Sequence, residues 1–162
     1  MLPLYLTKER QMEASWTNTL LALSRSYAPI LGLSGGWVSD RLGPKRTIVV
    51  SLIFTGIATL LLGVVAGRSI DGVVLIQPLL AVWFFPAVFA ALSAITSSGA
   101  RNLAVAVTVP FGYMIGGGAI PTMIGVTGDA GSFASGFILT GAFIASAGLA
   151  ALLLPEGERP TP

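Results

Sequence analysis

Four stretches of this chain, 47–67, 72–100, 102–128 and 130–155, contain no Asp, Glu, Lys or Arg. They run to 21, 29, 27 and 26 residues, and a fifth, 14–39, is interrupted once, at Arg25. About 20 apolar residues rising 1.5 Å each cross the hydrocarbon core of a bilayer. Backbone groups there have no water to bond, so each run is expected as a helix that satisfies its own N–H and C=O groups. The pattern predicts an all-α membrane protein of five transmembrane helices, at 15–38, 46–67, 72–97, 103–127 and 132–154.

Composition closes off the alternatives. The 162 residues are 54% hydrophobic and 10% charged, against roughly 25% charged in a soluble domain. An ordinary globular enzyme is excluded. The chain has no His and no Cys, so the usual metal ligands, the commonest general base and the thiol nucleophile are all missing. No metal or cofactor is expected. A net charge of +2, from nine cations against seven anions, supports no nucleic-acid partner; the partner that the composition demands is the lipid bilayer.

Orientation follows the cations of the short loops. Arg41, Lys45, Arg46, Arg101 and Arg159 fall on one side of the expected membrane, and Lys8, Arg10 and Arg68 on the other. The N-terminus is therefore expected outside and the 155–162 tail in the cytoplasm of a cell with a multi-pass plasma or inner membrane. Residues 1–14 form an extracytoplasmic segment. Met1–Leu6 lacks the basic start and the apolar core of a signal peptide. It reads as the outer end of a helix whose body is absent, or else as a simple interfacial segment.

Between the first and second runs lies Gly36-Trp37-Val38-Ser39-Asp40-Arg41-Leu42-Gly43-Pro44-Lys45-Arg46. Gly36 is expected to let two helices approach, Gly43 to turn with positive φ, and Pro44 to start the next helix. Asp40 is placed to face a helix N-terminus, whose dipole favours an anion. A generic basic loop would account for the cations but not for Gly, Asp and Gly at these spacings.

This loop resembles the signature of the major facilitator superfamily, G-x-x-x-D-R-x-G-x-[RK]-[RK], which Gly36, Asp40, Arg41, Gly43, Lys45 and Arg46 match. The resemblance implies a secondary transporter, with this loop as a conformational switch. In that family the motif joins helices two and three and also helices eight and nine. A first-half segment would continue into a long central loop, whereas Pro155–Pro162 follows the last run here. The chain is accordingly read as helices eight to twelve of twelve, a partial C-terminal domain. Its partner would then be the missing N-terminal half or another membrane polypeptide. The competing reading is a truncated or split-gene product that does not transport alone.

Arg25 is the charge that the membrane should not hold without a reason. It lies about 15 and 20 Å from the two ends of its span, too deep to reach either surface comfortably, and such residues face a cavity or a partner. Asn18 and Gly32 stand seven residues to either side, on the same face of one continuous helix. No span contains a carboxylate, so a structural ion pair would need a partner from outside. A guanidinium in a cavity favours a planar anion, which it binds bidentately. Superfamily members that carry oxalate and formate, or nitrate and nitrite, resemble this chain in having an Arg midway along helix eight. The resemblance implies a small anionic substrate at Arg25.

The fourth span carries Pro110, Gly116-Gly117-Gly118 and Pro121. Such residues break a helix, and in transporters broken helices stand beside the substrate; close helix packing is the plain alternative. Tyr113 lies near the depth of Arg25 and is a candidate donor to the anion. Gln77 is the polar candidate of the third span, whose Trp83, Phe84 and Phe85 precede Pro86. Ser132, Gly136, Thr140, Gly141, Ala145 and Gly148 mark the last span as a packing face, and 47–67 reads as scaffold.

Overall fold

The computed structural model describes residues 1–96 and 99–154. The expected cytoplasmic tail, 155–162, and the end of the 72–97 span lie outside the described residues. Everything regular among the described residues is helical. A short helical segment, α1 (Leu2–Leu4), widens into a π-helical turn at Tyr5–Glu9. Then come α2 (Ala14–Ser26), α3 (Ala28–Leu42), α4 (Pro44–Val64), α5 (Ser69–Val82) and α6 (Phe84–Ile95). The chain continues through α7 (Arg101–Tyr113), a π-helical stretch at Met114–Ala119, α8 (Ile120–Asp129) and α9 (Phe133–Ala150).

Four helices among the described residues are long and apolar enough to cross a membrane: Pro44–Val64, Ser69–Ile95, Arg101–Asp129 and Phe133–Leu153. The expectation of five is corrected at its first member. The 15–38 stretch is two helices, α2 and α3, of 13 and 15 residues, that meet at Tyr27. Pro29 accounts for the break. It has no N–H to give the carbonyl four residues back, that of Arg25, and its ring crowds that turn. Thr17, Asn18, Thr19, Ser24, Arg25 and Ser26 further dilute the apolar character of this segment. Pro86 interrupts the ladder in the same way at Trp83, between α5 and α6, but there the flanks are apolar throughout.

The centre of the molecule is the antiparallel pair α4 and α9. Its register is written in small residues. A Cβ added at Gly141 would stand 2.3 Å from the Leu60 nitrogen, one at Gly56 2.5 Å from the Ala145 nitrogen, and one at Gly148 2.8 Å from Ile53 Cγ1. Backbone meets backbone along this seam, the arrangement small residues permit between membrane helices. The packing face expected on the last span and the scaffold role of 47–67 are both seen here. α8 joins the seam through Gly136, where a Cβ would fall 2.4 Å from Thr127 Oγ1.

Two apolar clusters sit at the two ends. Tyr5, Leu6, Leu20, Leu62, Ile70, Val74, Ile124 and Phe137 gather elements from α1 to α9 at the end bearing the α4–α5 turn. Ile48, Val49, Ala87 and Ala151 gather at the opposite end, which bears the α3–α4 turn.

Candidate functional site

Arg25 stands in the last turn of α2, two residues before the break at Tyr27, and its side chain is exposed. Arg10 and Arg101 each donate to a backbone carbonyl; Arg25 donates to none among the described residues. The junction beside it is pinned, because Tyr27 donates its hydroxyl to the Leu75 carbonyl of α5. Tyr27 escaped the sequence reading, although Pro29 signals a break there.

Asn18 is exposed on the same helix as Arg25, seven residues earlier. The third member of that stripe is corrected. Gly32 lies beyond the break, half-buried, with its Cβ position 3.6 Å from Val82 of α5. The polar face thus ends at α2, and Gly32 packs toward α5. Gln77 is half-buried and donates through Nε2 to Thr59 Oγ1 of α4 at 3.3 Å. It ties two helices together through a neutral hydrogen bond.

Tyr113 closes α7 and is 75% exposed. α2 packs on α5, α7 packs on α6, and α2 and α7 are not among the packed helix pairs. The described residues therefore place Arg25 and Tyr113 on open faces without bringing them into contact. The expected break at Pro110, Gly116–Gly118 and Pro121 is also corrected in kind. Pro110 lies inside α7 and Pro121 in the first turn of α8. Between them the helix widens over Met114–Ala119 rather than unwinding. The widened stretch ends just before Pro121, which has no N–H to donate to the turn before it. No Cβ added at Gly116 or Gly118 would meet an atom within 4 Å. These glycines do not serve packing here.

In the α3–α4 loop, Gly43 takes φ 89° and Pro44 opens α4, as expected. Thr47 Oγ1 closes the turn by donating to the Gly43 carbonyl at 3.0 Å. The Arg41 guanidinium stacks over the Trp37 ring, 4.5 Å from its centroid. Asp40 and Arg46 are exposed and Lys45 half-buried. The N-cap of α4 is Gly43, which has no side chain to cap with, and Asp40 makes no side-chain hydrogen bond to that end of α4 among the described residues. One expectation changes, at Gly36. Gly36 is open, and the close approach belongs to Gly35, whose Cβ position is 3.0 Å from Trp83 Cδ1 and 3.1 Å from Trp83 Cα. Trp83 also donates through Nε1 to Ser34 Oγ at 3.1 Å, which locks α3 to the start of α6. Phe84 packs against the Ile48 and Val49 cluster, and Phe85 is 60% exposed.

Compared with known proteins, residues 1–162 match the family model described as Major Facilitator Superfamily. No curated protein and no solved structure matches.

Proposed function

The chain belongs to the Major Facilitator Superfamily, a family of membrane transporters, and from that premise we propose secondary transport of a small organic or inorganic anion by alternating access. The observation that carries the substrate class is Arg25: exposed, in the middle of Ala14–Leu42, with no partner among the described residues. A guanidinium that meets no carboxylate among the described residues of so apolar a bundle has a strong demand for an anion, and its fork matches carboxylate or nitrate. Asn18 on the same face and Tyr113 on α7 are the further ligands we assign, with Gln77 more distant because its amide is engaged by Thr59.

The Gly36–Arg46 loop is the switch segment in this reading, on the cytoplasmic side that its cations favour. Arg41 on Trp37 and the sharp Gly43–Pro44 turn make it rigid enough to transmit a tilt of α3 to α4.

The test is direct binding. The full chain in nanodiscs should bind oxalate, formate or nitrate. Arg25→Ala should weaken that binding about ten- to a hundredfold, the loss of one or two charge-assisted hydrogen bonds, with helix content unchanged; Arg25→Lys should recover part of it. Anion affinity indifferent to Arg25→Ala rejects the assignment.

A second reading is that the chain transports only when joined to another membrane polypeptide. It is favoured by the Arg101–Asp129 helix, none of whose most apolar window is buried, and by the outward faces of Arg25 and Tyr113. A cavity needs a second wall.

A further inference from the structure

We propose that the turn between α4 and α5 holds a zwitterionic phospholipid headgroup, one carrying a phosphodiester and a primary ammonium. A cavity of about 560 Å³ opens there, lined by Arg10, Met12, Trp16, Arg68, Ile70 and Asp71. Its depth is set by the helices around it. It lies between Val64, where one candidate span ends, and Ser69, where the next begins. Whichever way the chain is inserted, that is the level of lipid headgroups.

The chemistry is laid out in two parts. Arg10 is fixed: Nε donates to Tyr5 Oη at 2.6 Å and Nη2 to the Gly63 carbonyl at 3.0 Å. Its Nη1 donors remain for a ligand. Arg68 is exposed at the other side of the turn, and two guanidiniums suit the oxygens of a phosphate. Asp71 Oδ2 accepts from Trp16 Nε1 at 3.3 Å, which leaves Oδ1 to receive an N–H. A phosphate alone would be repelled by that carboxylate; a primary ammonium two carbons from the phosphate is attracted to it. Trp16, half exposed, supplies the amphipathic ring that favours the interface, and Met12 and Ile70 offer apolar surface for the glycerol end.

Native mass spectrometry of the full chain, released from nanodiscs of mixed lipids, reads the proposal. Phosphatidylethanolamine should be retained about tenfold over phosphatidylcholine and phosphatidylglycerol, the selectivity of one charge-assisted hydrogen bond. Asp71→Asn keeps an acceptor for Trp16 and should reduce the preference to within about twofold. Arg68→Gln, at an exposed site, should lower retention of all three lipids. Circular dichroism confirms that both variants are folded. Equal retention of the three lipids by the native chain, or a preference that survives Asp71→Asn, overturns the proposal. Binding of soluble phosphoethanolamine by lipid-stripped chain, with no lipid retained from nanodiscs, would assign the cavity to a free solute and overturn the lipid headgroup.

Discussion

Tyr5 and Arg10 answer a need that arises at the end of every helix, where the last four carbonyls have no N–H above them. The Tyr5 hydroxyl donates to the Leu62 carbonyl at 2.5 Å and Arg10 to that of Gly63, both in the last turn of α4. The cation of Arg10 also suits the negative end of the helix dipole. Next to it in sequence, Glu9 does the converse. Its carboxylate accepts from Phe133 N at 2.5 Å and Ala134 N at 3.3 Å, at the start of α9. Tyr5 is fully buried against Phe137, ring centroids 4.9 Å apart. Tyr5→Phe keeps that packing but leaves the Leu62 carbonyl and Arg10 Nε without their partner, so it should cost about 1–3 kcal/mol, read as an earlier unfolding midpoint in a denaturant titration of the reconstituted chain. Of these three residues, sequence reasoning used only Arg10, as an orientation marker. Their partners are more than 50 residues away in the case of Tyr5 and 124 in the case of Glu9, a separation no local pattern reveals.

Elements were legible where a local rule decided them. Charge-free length set four spans, and Gly43-Pro44 set the turn at the start of α4, because a positive φ and a missing N–H act within a residue or two. The break at Tyr27 obeyed an equally local rule at Pro29, which the continuity of the apolar run outweighed in the reading of 15–38. Helix rotation is another matter. Gly35 and Gly36 differ by about 100° around the axis, and which of them meets Trp83 depends on how α3 packs, information held by α5 and α6. For the same reason Gln77 was legible as the polar candidate of its span, but not as the partner of Thr59. Glycines that look alike in sequence thus have opposite weights. Gly141→Val must force α4 and α9 apart, since even a Cβ lands 2.3 Å from the Leu60 nitrogen. It should destabilise by about 3 kcal/mol or more, beyond the usual range for overpacking. Gly118→Ala meets open space and should stay within about 0.5 kcal/mol of the parent. Thermal scans of the two variants in the same detergent check the contrast.

At the scale of the whole molecule, burial is uneven. α4 and α9 form a tight axis, while the Arg101–Asp129 helix touches α6 at one end and α9 at the other and shows most of its length outward. Such a helix meets either lipid or a water-filled space. Since the chain has no Cys, single cysteines can report which. Tyr113→Cys and Asn18→Cys, on the assigned anion pathway, should react with a membrane-impermeant maleimide in liposomes at comparable rates. Leu139→Cys, exposed on α9, should react at least about tenfold more slowly because it faces hydrocarbon. Equal protection of all three positions would remove the water path.

The bonds from Glu9 to Phe133 and Ala134 bear on how the molecule is made. A ribosome delivers the acceptor 124 residues before the first donor, which comes after every intervening helix has been handed to the membrane. During synthesis the carboxylate of Glu9 must wait, solvated or paired elsewhere, and α4 must insert before the neighbour that fills its glycine seam exists. The tie from Glu9 therefore forms only once α9 has emerged. A nascent chain that lacks α9 would expose both the glycine seam of α4 and the unpaired Glu9 carboxylate to its surroundings.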